Sequence, residues 1–388
     1  DLDGDGNLEF ISARNKDQAI TAAIAVKLDG SVLWKWGIPD SGEPHLHSDL
    51  PLQVYDINRD GKNEIVVGIE DYILILDGRT GSELARYPNP QSLKVADCIT
   101  FANFSGNSRA TDIIIKSRYK KIWAYTNEWD LLWTWPPGDQ HLAAMLNTCH
   151  HPEPFDLDGD GRDELLAANM MLNHDGSELW HIDSYNMALR GHLDCMQLVR
   201  KGNKPEEFRI SLSYCGAKAF GMIDGTGRVL WEHTGHHFES IDVGVLPSGA
   251  KCIYVDIDHL PRGESKGHLY HEDGTLLGVY HFFYGRHHRM LDWKGDGSSE
   301  IVLGNAAMLV DTRGNYVAGF DLGPDSKKLR AGLEAGDPQP YVSSRDVTRN
   351  GWADVILHTK EKAYIYANPN KSTSKIKECK DDINFTFY

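Results

Sequence analysis

The sequence predicts an all-β protein made of about eight similar four-stranded units. Three observations predict it. A turn built on Asp-Gly, or a close variant, recurs at a nearly fixed interval. An acidic loop lies upstream of that turn in most units. Short strand-like runs flank both, and no long stretch shows the 3.6-residue period of a helix. The turns fall at Asp29, Asp77, Asn127, Asp175, Asp224, Asp273 and Asp311, at intervals of 48, 50, 48, 49, 49 and 38 residues. Those at Asn127-Glu128 and Asp311-Thr312 are degenerate copies.

The second unit shows the order of elements. A short apolar strand, Leu52–Tyr55, leads into the acidic loop Asp56–Glu64. A second strand runs over Glu64–Gly68 and a third over Tyr72–Leu76, ending at the Asp77-Gly78 turn. A fourth strand closes the unit. In other units that strand carries a Leu-Trp pair, at Trp34, Trp133, Trp180 and Trp231. Four short strands per 40–50 residues, separated by turn signals, is the pattern of a β-propeller blade. The 388 residues divided by a spacing of about 48 give eight blades. Loops between first and second strands are expected near Asp1, Asp56, Asn103, Asp156, Lys201, Pro247, Asp292 and Asp346. Seven blades is the alternative, if one degenerate central unit is an excursion. The expectation is a single propeller domain over residues 1–388. The chain starts at an acidic loop, so the first unit has no first strand of its own. Ile383–Tyr388 reads as a strand that closes either the last blade or the first.

Composition narrows the function. With 40 basic and 56 acidic residues the formal net charge is −16, which argues against general duplex nucleic-acid binding. No apolar run approaches the roughly 18 residues of a membrane helix, so no membrane span is expected. Hydrophobic residues make up 41%, too many for a wholly disordered chain. The six cysteines show no CxxC spacing and read as small buried hydrophobes rather than a thiolate zinc site.

The acidic loops carry metal chemistry. Asp156, Asp158 and Asp160 place carboxylates at alternate positions of a tight turn, Gly161 allows its positive φ, and Glu164 adds an oxygen at the ninth position. Hard oxygen donors in this pattern suit Ca²⁺, and the spacing and flanking strands differ from an EF-hand. Asp1, Asp3, Asp5 and Glu9 repeat the set, and so do Asp56, Asn58, Asp60 and Glu64. In Asp292–Glu300 a lysine, Lys294, replaces one ligand. The expected role of the ion is to neutralise repelling carboxylates and fix a turn.

The other ends of the strands differ in character. Before successive first strands stand His45 and His47, Lys94, His150 with His151, Arg190 with His192, His236 with His237, and Arg286-His287-His288-Arg289. Connections between second and third strands add Arg118, Tyr119, Tyr214, Lys218, Lys266 and His358. More than half of the 18 histidines fall on this side. An acidic protein thus carries a locally cationic, aromatic-containing face that suits an anionic, multi-hydroxylated ligand. Glycoside hydrolysis needs two carboxylates across the scissile bond, and no such pair is evident. β-Elimination at a uronic acid fits better. A cation such as Arg neutralises the carboxylate, a base of near-neutral pKa such as His removes the C5 proton, and Tyr or His protonates the departing O4.

These features resemble the calcium-loaded β-propeller polysaccharide lyases, in particular the rhamnogalacturonan lyase group. The resemblance rests on Leu28–Trp34, His47–Asp56, Lys116–Tyr125 and Asn147–Asp156, with the repeated acidic loops. It implies eight blades; the related ulvan and rhamnose-glucuronate lyases have seven and use a His/Tyr/Arg set. It also implies a secreted or periplasmic enzyme, expected to be monomeric, that cleaves an anionic polysaccharide beside a uronic acid next to rhamnose. On this reading His47, His150 and His192 hold the base and its helpers, Arg118 neutralises the uronate and Tyr119 is the acid. His288, Arg286, Arg190, Lys94, Tyr214 and His237 line the substrate. Two alternatives are a non-catalytic calcium-stabilised propeller that binds glycan or protein, and a metal enzyme with a histidine-held transition metal.

Overall fold

The chain is an eight-bladed β-propeller of antiparallel blades, described from a computed structural model. The structure describes residues 1–16, 19–39, 51–90, 96–117, 120–138, 148–189, 192–214, 216–257, 265–282, 287–329 and 340–370. Its contacts define two compact units, one running from Asp1 to His181 and the other starting at Ile182.

The first unit holds four blades. The first has three strands, Glu9–Lys16, Ala19–Lys27 and Val32–Gly37. The second has Leu52–Tyr55, Glu64–Ile69, Tyr72–Asp77 and Glu83–Pro88, matching the strands expected from sequence. The third has Cys98–Ala102, Asp112–Ser117, Lys121–Tyr125 and Leu131–Trp135. The fourth has Glu153–Phe155, Glu164–Leu166, Met170–Leu172 and Glu178–His181.

The second unit holds the other four. The fifth blade is Cys195–Arg200, Arg209–Tyr214, Ala219–Ile223 and Val229–Thr234, and the sixth is Phe238–Val245, Lys251–Ile257, Ser265–His271 and Leu276–Phe282. The seventh is His288–Leu291, Glu300–Leu303, Met308–Val310 and Tyr316–Gly319. The eighth has three described strands, Tyr341–Arg345, Asp354–His358 and Ala363–Tyr366. Ile383–Tyr388, expected to form a closing strand, lies outside the described residues.

Burial explains the strand sequences. The middle strands of a blade are covered on both faces and read as continuous apolar runs, as in Ile113-Ile114-Ile115 and Ile73–Leu76. Outer strands alternate: Leu131 and Leu179 are exposed while Trp133 is buried. The two recurring motifs meet between neighbouring blades. Trp34 of the first blade donates its Nε1–H to the carbonyl of Gly78 in the second blade's turn, at 2.7 Å. Trp133 of the third blade donates to His174 of the fourth at 2.9 Å, and Trp231 of the fifth to Glu272 of the sixth at 3.0 Å. Each ring also lies against a turn glycine. A Cβ on Gly176 would come within 2.7 Å of Trp133, and one on Gly274 within 2.8 Å of Trp231. Gly176 and Gly274 adopt positive φ, +81° and +89°, so both conformation and space select glycine. Cys98, Cys149, Cys195 and Cys252 are buried and form no disulfide among the described residues, consistent with their expected apolar role; Cys215 and Cys379 lie outside the described residues. No described helix is long and apolar enough to cross a membrane.

Candidate active site

The chain enters each first strand at the end opposite the acidic loop. In extended backbone, residues i and i+2 point to the same side. Three successive entries carry histidine two residues before an acid: His151-Pro152-Glu153, His192-Leu193-Asp194 and His237-Phe238-Glu239. The structure pairs each imidazole with its acid. His192 Nε2 lies 2.9 Å from Asp194 Oδ1, His237 Nε2 lies 2.9 Å from Glu239 Oε2, and His151 Nδ1 lies 3.4 Å from Glu153 Oε1. In the second unit the acids are buried, Asp194 at 3% and Glu239 at 5% exposure, while the side chains of His192 and His237 remain 19% and 21% exposed. A carboxylate only accepts, so the facing ring nitrogen carries the hydrogen. In the neutral imidazole this leaves Nδ1 of His192 and of His237 as the ring nitrogen without a hydrogen. The first strands of the fifth, sixth and seventh blades lie beside one another, which brings these entries together within the second unit.

Other first-strand entries place their polar groups in the interior. His288 Nε2 sits 3.5 Å from Asp256 Oδ1 with both side chains inaccessible to solvent, and Asp256 accepts the Ser240 N–H at 2.7 Å. The His288 ring meets the Tyr254 ring edge-on at 4.5 Å, and burial holds the Tyr254 phenol well above its ordinary value. In the third blade Asp97 pairs with Lys116 at 2.7 Å, both within the core. The acids Asp97 and Glu239 are each matched to a cation or an imidazole. The His287 ring lies tilted against Tyr341 at 4.0 Å between centroids, and Tyr341 stacks on His358 at 5.8 Å.

Of the residues expected in the site, His47, Lys94, Arg118, Tyr119, Arg190 and Arg286 lie outside the described residues. His192 and His237 sit at the partly exposed entries of adjacent blades. His150 is buried at 3% exposure and Tyr214 at 2%. His288, expected on a subsite wall, turns its ring into the interior against Asp256, because the first strand of the seventh blade begins at His288 itself. Sequence reading overlooked Asp194, Glu153, Asp256 and Lys116. Asp194 and Glu153 were signalled by the repeated His-x-acid triplet; Lys116 reaches Asp97 through strand pairing, and Asp256 reaches His288 through the packing of the sixth blade on the seventh.

The imidazoles respond differently to their surroundings. Burial holds His268 at about 4, helped by His236, Lys266, His233 and His281. Burial also holds His358 at about 4, with Arg289 adding to it. Burial disfavours a charged His151 too, but Cys98 and Glu153 outweigh it, and its pKa is raised. For His268 and His358 the folded pKa lies below the unfolded value near 6.5. Their stabilising contribution is complete above pH 6.5 and is lost as pH falls toward 4. Wild type should therefore lose stability across that window with a slope steeper, by up to two protons, than the double variant His268→Gln/His358→Gln. Denaturant unfolding at several pH values measures it; equal slopes would contradict the assignment.

No protein-family model matches the chain. In sequence it is 25% identical over 304 residues to the rhamnogalacturonan exolyase YesX of Bacillus subtilis strain 168, covering 60% of this chain and 47% of that protein. It is 23% identical over 351 residues to the rhamnogalacturonan endolyase YesW of the same organism, covering 72% of this chain and 52% of that protein. The chain thus spans about half the length of the curated relatives it matches. In structure it resembles a rhamnogalacturonan lyase of Bacillus licheniformis with a TM-score of 0.65 at 19% identity, covering 95% of this chain and 70% of that one. The chain is homologous to rhamnogalacturonan lyases and shares their propeller fold.

Proposed function

We propose that this propeller belongs to a secreted or periplasmic polysaccharide lyase that cleaves a rhamnose- and uronate-containing chain by β-elimination. The observation that carries the reading is the His192–Asp194 pair, a partly exposed imidazole held at 2.9 Å by a buried carboxylate, with His237–Glu239 beside it. In the proposed step His192 Nδ1 removes the C5 proton of the uronate. The electron pair forms the C4–C5 double bond, the C4–O4 bond breaks, and O4 leaves with a proton from an acid. Asp194 stabilises the imidazolium that forms, as an orienting carboxylate does for a histidine base. His237 contacts the adjoining sugar. Arg118 neutralises the uronate carboxylate and Tyr119 supplies the proton; both roles rest on sequence. Incubation with rhamnogalacturonan should release unsaturated oligosaccharides, detected by ultraviolet absorbance. Saturated products with new reducing ends would support hydrolysis, and no product a binding role.

We further propose that Ca²⁺ occupies the acidic loops. The donor sets fit a hard cation. Carboxylate oxygens of Asp1, Asp3 and Asp5 lie within 4.8 Å of one another, as do those of Asp156, Asp158 and Glu164. Burial and neighbouring aspartates push both Glu64 and Glu164 up to about 7. Two loops carry a competing cation from the chain. Lys27 Nζ lies 2.6 Å from Asp3 and 2.9 Å from Asp5, and Arg109 lies 2.9 Å from Asp56. The bound ion would neutralise these carboxylates and fix the turn.

The sign of the pH effect follows. Without metal, the folded state holds protons on Glu64 and Glu164 between pH 4.5 and about 7, so their contribution to stability falls as pH rises through that window. Calcium requires the deprotonated form. Its affinity should drop about tenfold per pH unit per loop below pH 7. Titration calorimetry at pH 5.5 and 7.5 tests this, and a pH-independent affinity would contradict it. At a hundredfold excess over its dissociation constant, each bound ion should add about 2.7 kcal/mol of stability, lost in chelator.

A further inference from the structure

We propose that Lys294 is the resident cation of the seventh blade's acidic loop, its ammonium taking the position given to a divalent ion in the other loops. This rests on the calcium reading above for the comparison among loops, but not for the role of Lys294 itself.

The four loops share one frame. In each, the ninth residue is a glutamate whose Oε2 accepts the N–H of the second residue. The distances are 2.6 Å for Leu2 to Glu9, 3.1 Å for Ile57 to Glu64, 2.9 Å for Leu157 to Glu164 and 3.0 Å for Trp293 to Glu300. The glutamates are therefore held alike. The third residue differs: Asp3 and Asp158 offer only oxygen, Asn58 donates its amide Nδ2–H to Glu64 Oε1 at 3.3 Å, and Lys294 brings a charged nitrogen. Lys294 Nζ lies 2.8 Å from Glu300 Oε1, on a carboxylate that is 1% exposed.

The other acids of this loop are also satisfied by the chain. Asp292 accepts the N–H groups of Gly295, Asp296 and Gly297 at 2.7, 3.1 and 2.9 Å. Asp296 accepts the N–H and the hydroxyl of Ser298 at 2.9 and 2.6 Å. The eighth blade covers the loop from outside. Trp352 lies against Gly295, where a Cβ would come within 2.7 Å, and Asn368 and Asn370 donate to the Trp293 carbonyl. The Asp156 loop is the contrast. Among the described residues, none of Asp156, Asp158, Asp160 or Glu164 meets a lysine or arginine at ion-pair distance.

A buried carboxylate needs a counter-charge, and a tethered ammonium supplies it without loss of a free ion's entropy. The seventh-blade loop thus carries its counter-charge on its own third residue, whereas Lys27 and Arg109 reach the Asp1 and Asp56 loops from other segments and, among the described residues, the Asp156 loop has neither. A lysine here also fixes selectivity, because a divalent ion would have to displace a cation it cannot remove by dilution.

Hydrogen exchange of the full chain, with calcium chloride and with chelator, tests the proposal. In wild type, calcium should raise protection of residues 156–164 about tenfold or more and leave residues 292–300 within about twofold. Lys294→Met should lower protection of 292–300 about tenfold with or without calcium. Lys294→Asp should make protection of that loop calcium-dependent and add one bound calcium per chain by calorimetry. A wild-type 292–300 loop that responds to calcium as 156–164 does would overturn the proposal. So would a Lys294→Met variant with unchanged protection. If no loop responds to calcium, the calcium reading fails, while the Lys294→Met result still decides the role of the ammonium.

Discussion

Replacing His192 by alanine should lower kcat on rhamnogalacturonan about 10²–10⁴-fold, the usual contribution of a positioned base, or about 2.7–5.5 kcal/mol of barrier. KM should change little, because the imidazole acts on a proton that moves only in the transition state. Asp194→Asn removes the charge that steadies the imidazolium but keeps the size of the side chain. It should cost less than the loss of His192 and shift the acid limb of the rate profile. Adding the two substitutions together should cost little more than His192→Ala alone, since the pair works as a unit. The fold should persist, because His192 is partly exposed and lies at a strand entry. Steady-state kinetics with thermal unfolding of the same samples checks these points. Full activity in His192→Ala would place the base elsewhere, and His237 is the first alternative, with the same carboxylate geometry at 2.9 Å.

Trp133→Ala should destabilise the first unit by about 3–5 kcal/mol, the range for truncating a large buried aromatic. The ring is 8% exposed, packs against Phe104 at 5.0 Å, fills the space beside Gly176, and donates to His174 of the next blade. Trp133→Phe keeps most of the packing and loses the donor, so it should cost much less, about 1–2 kcal/mol including the unpaired carbonyl. Gly176→Ala should approach the tryptophan variant, because the added methyl meets the ring and the backbone has positive φ. Leu131 is 55% exposed on the same strand, and its replacement by alanine should stay within about 0.5 kcal/mol. Urea unfolding provides the numbers. A Trp133→Ala variant as stable as Leu131→Ala would mean that the turn and the tryptophan are not a lock between blades.

The blade repeat was legible because both motifs recur in sequence, and the second-blade strands fall where the pattern puts them. What the pattern could not reveal was that the motifs belong together. Trp133 and His174 are 41 residues apart, and their contact exists only once one blade packs on the next. The same limit hid Asp256 from His288, joined by packing of adjacent blades, and Lys116 from Asp97, joined by strand register, neither of which follows from spacing. The His-x-acid triplets were a different kind of omission. An imidazole and a carboxylate two residues apart fall on one side of a strand, a pairing that neither the histidine count nor a pair of carboxylates signals. Lys294 was visible as a lost ligand; that its ammonium replaces the ion required the position of Glu300.

The most direct test of the proposed chemistry is the product itself. Purified protein, incubated with rhamnogalacturonan in calcium-containing buffer, should generate the ultraviolet absorbance of an unsaturated uronate, and His192→Ala should abolish most of it. Cleavage without that absorbance, or no cleavage by a folded, calcium-loaded protein, would contradict β-elimination at this site.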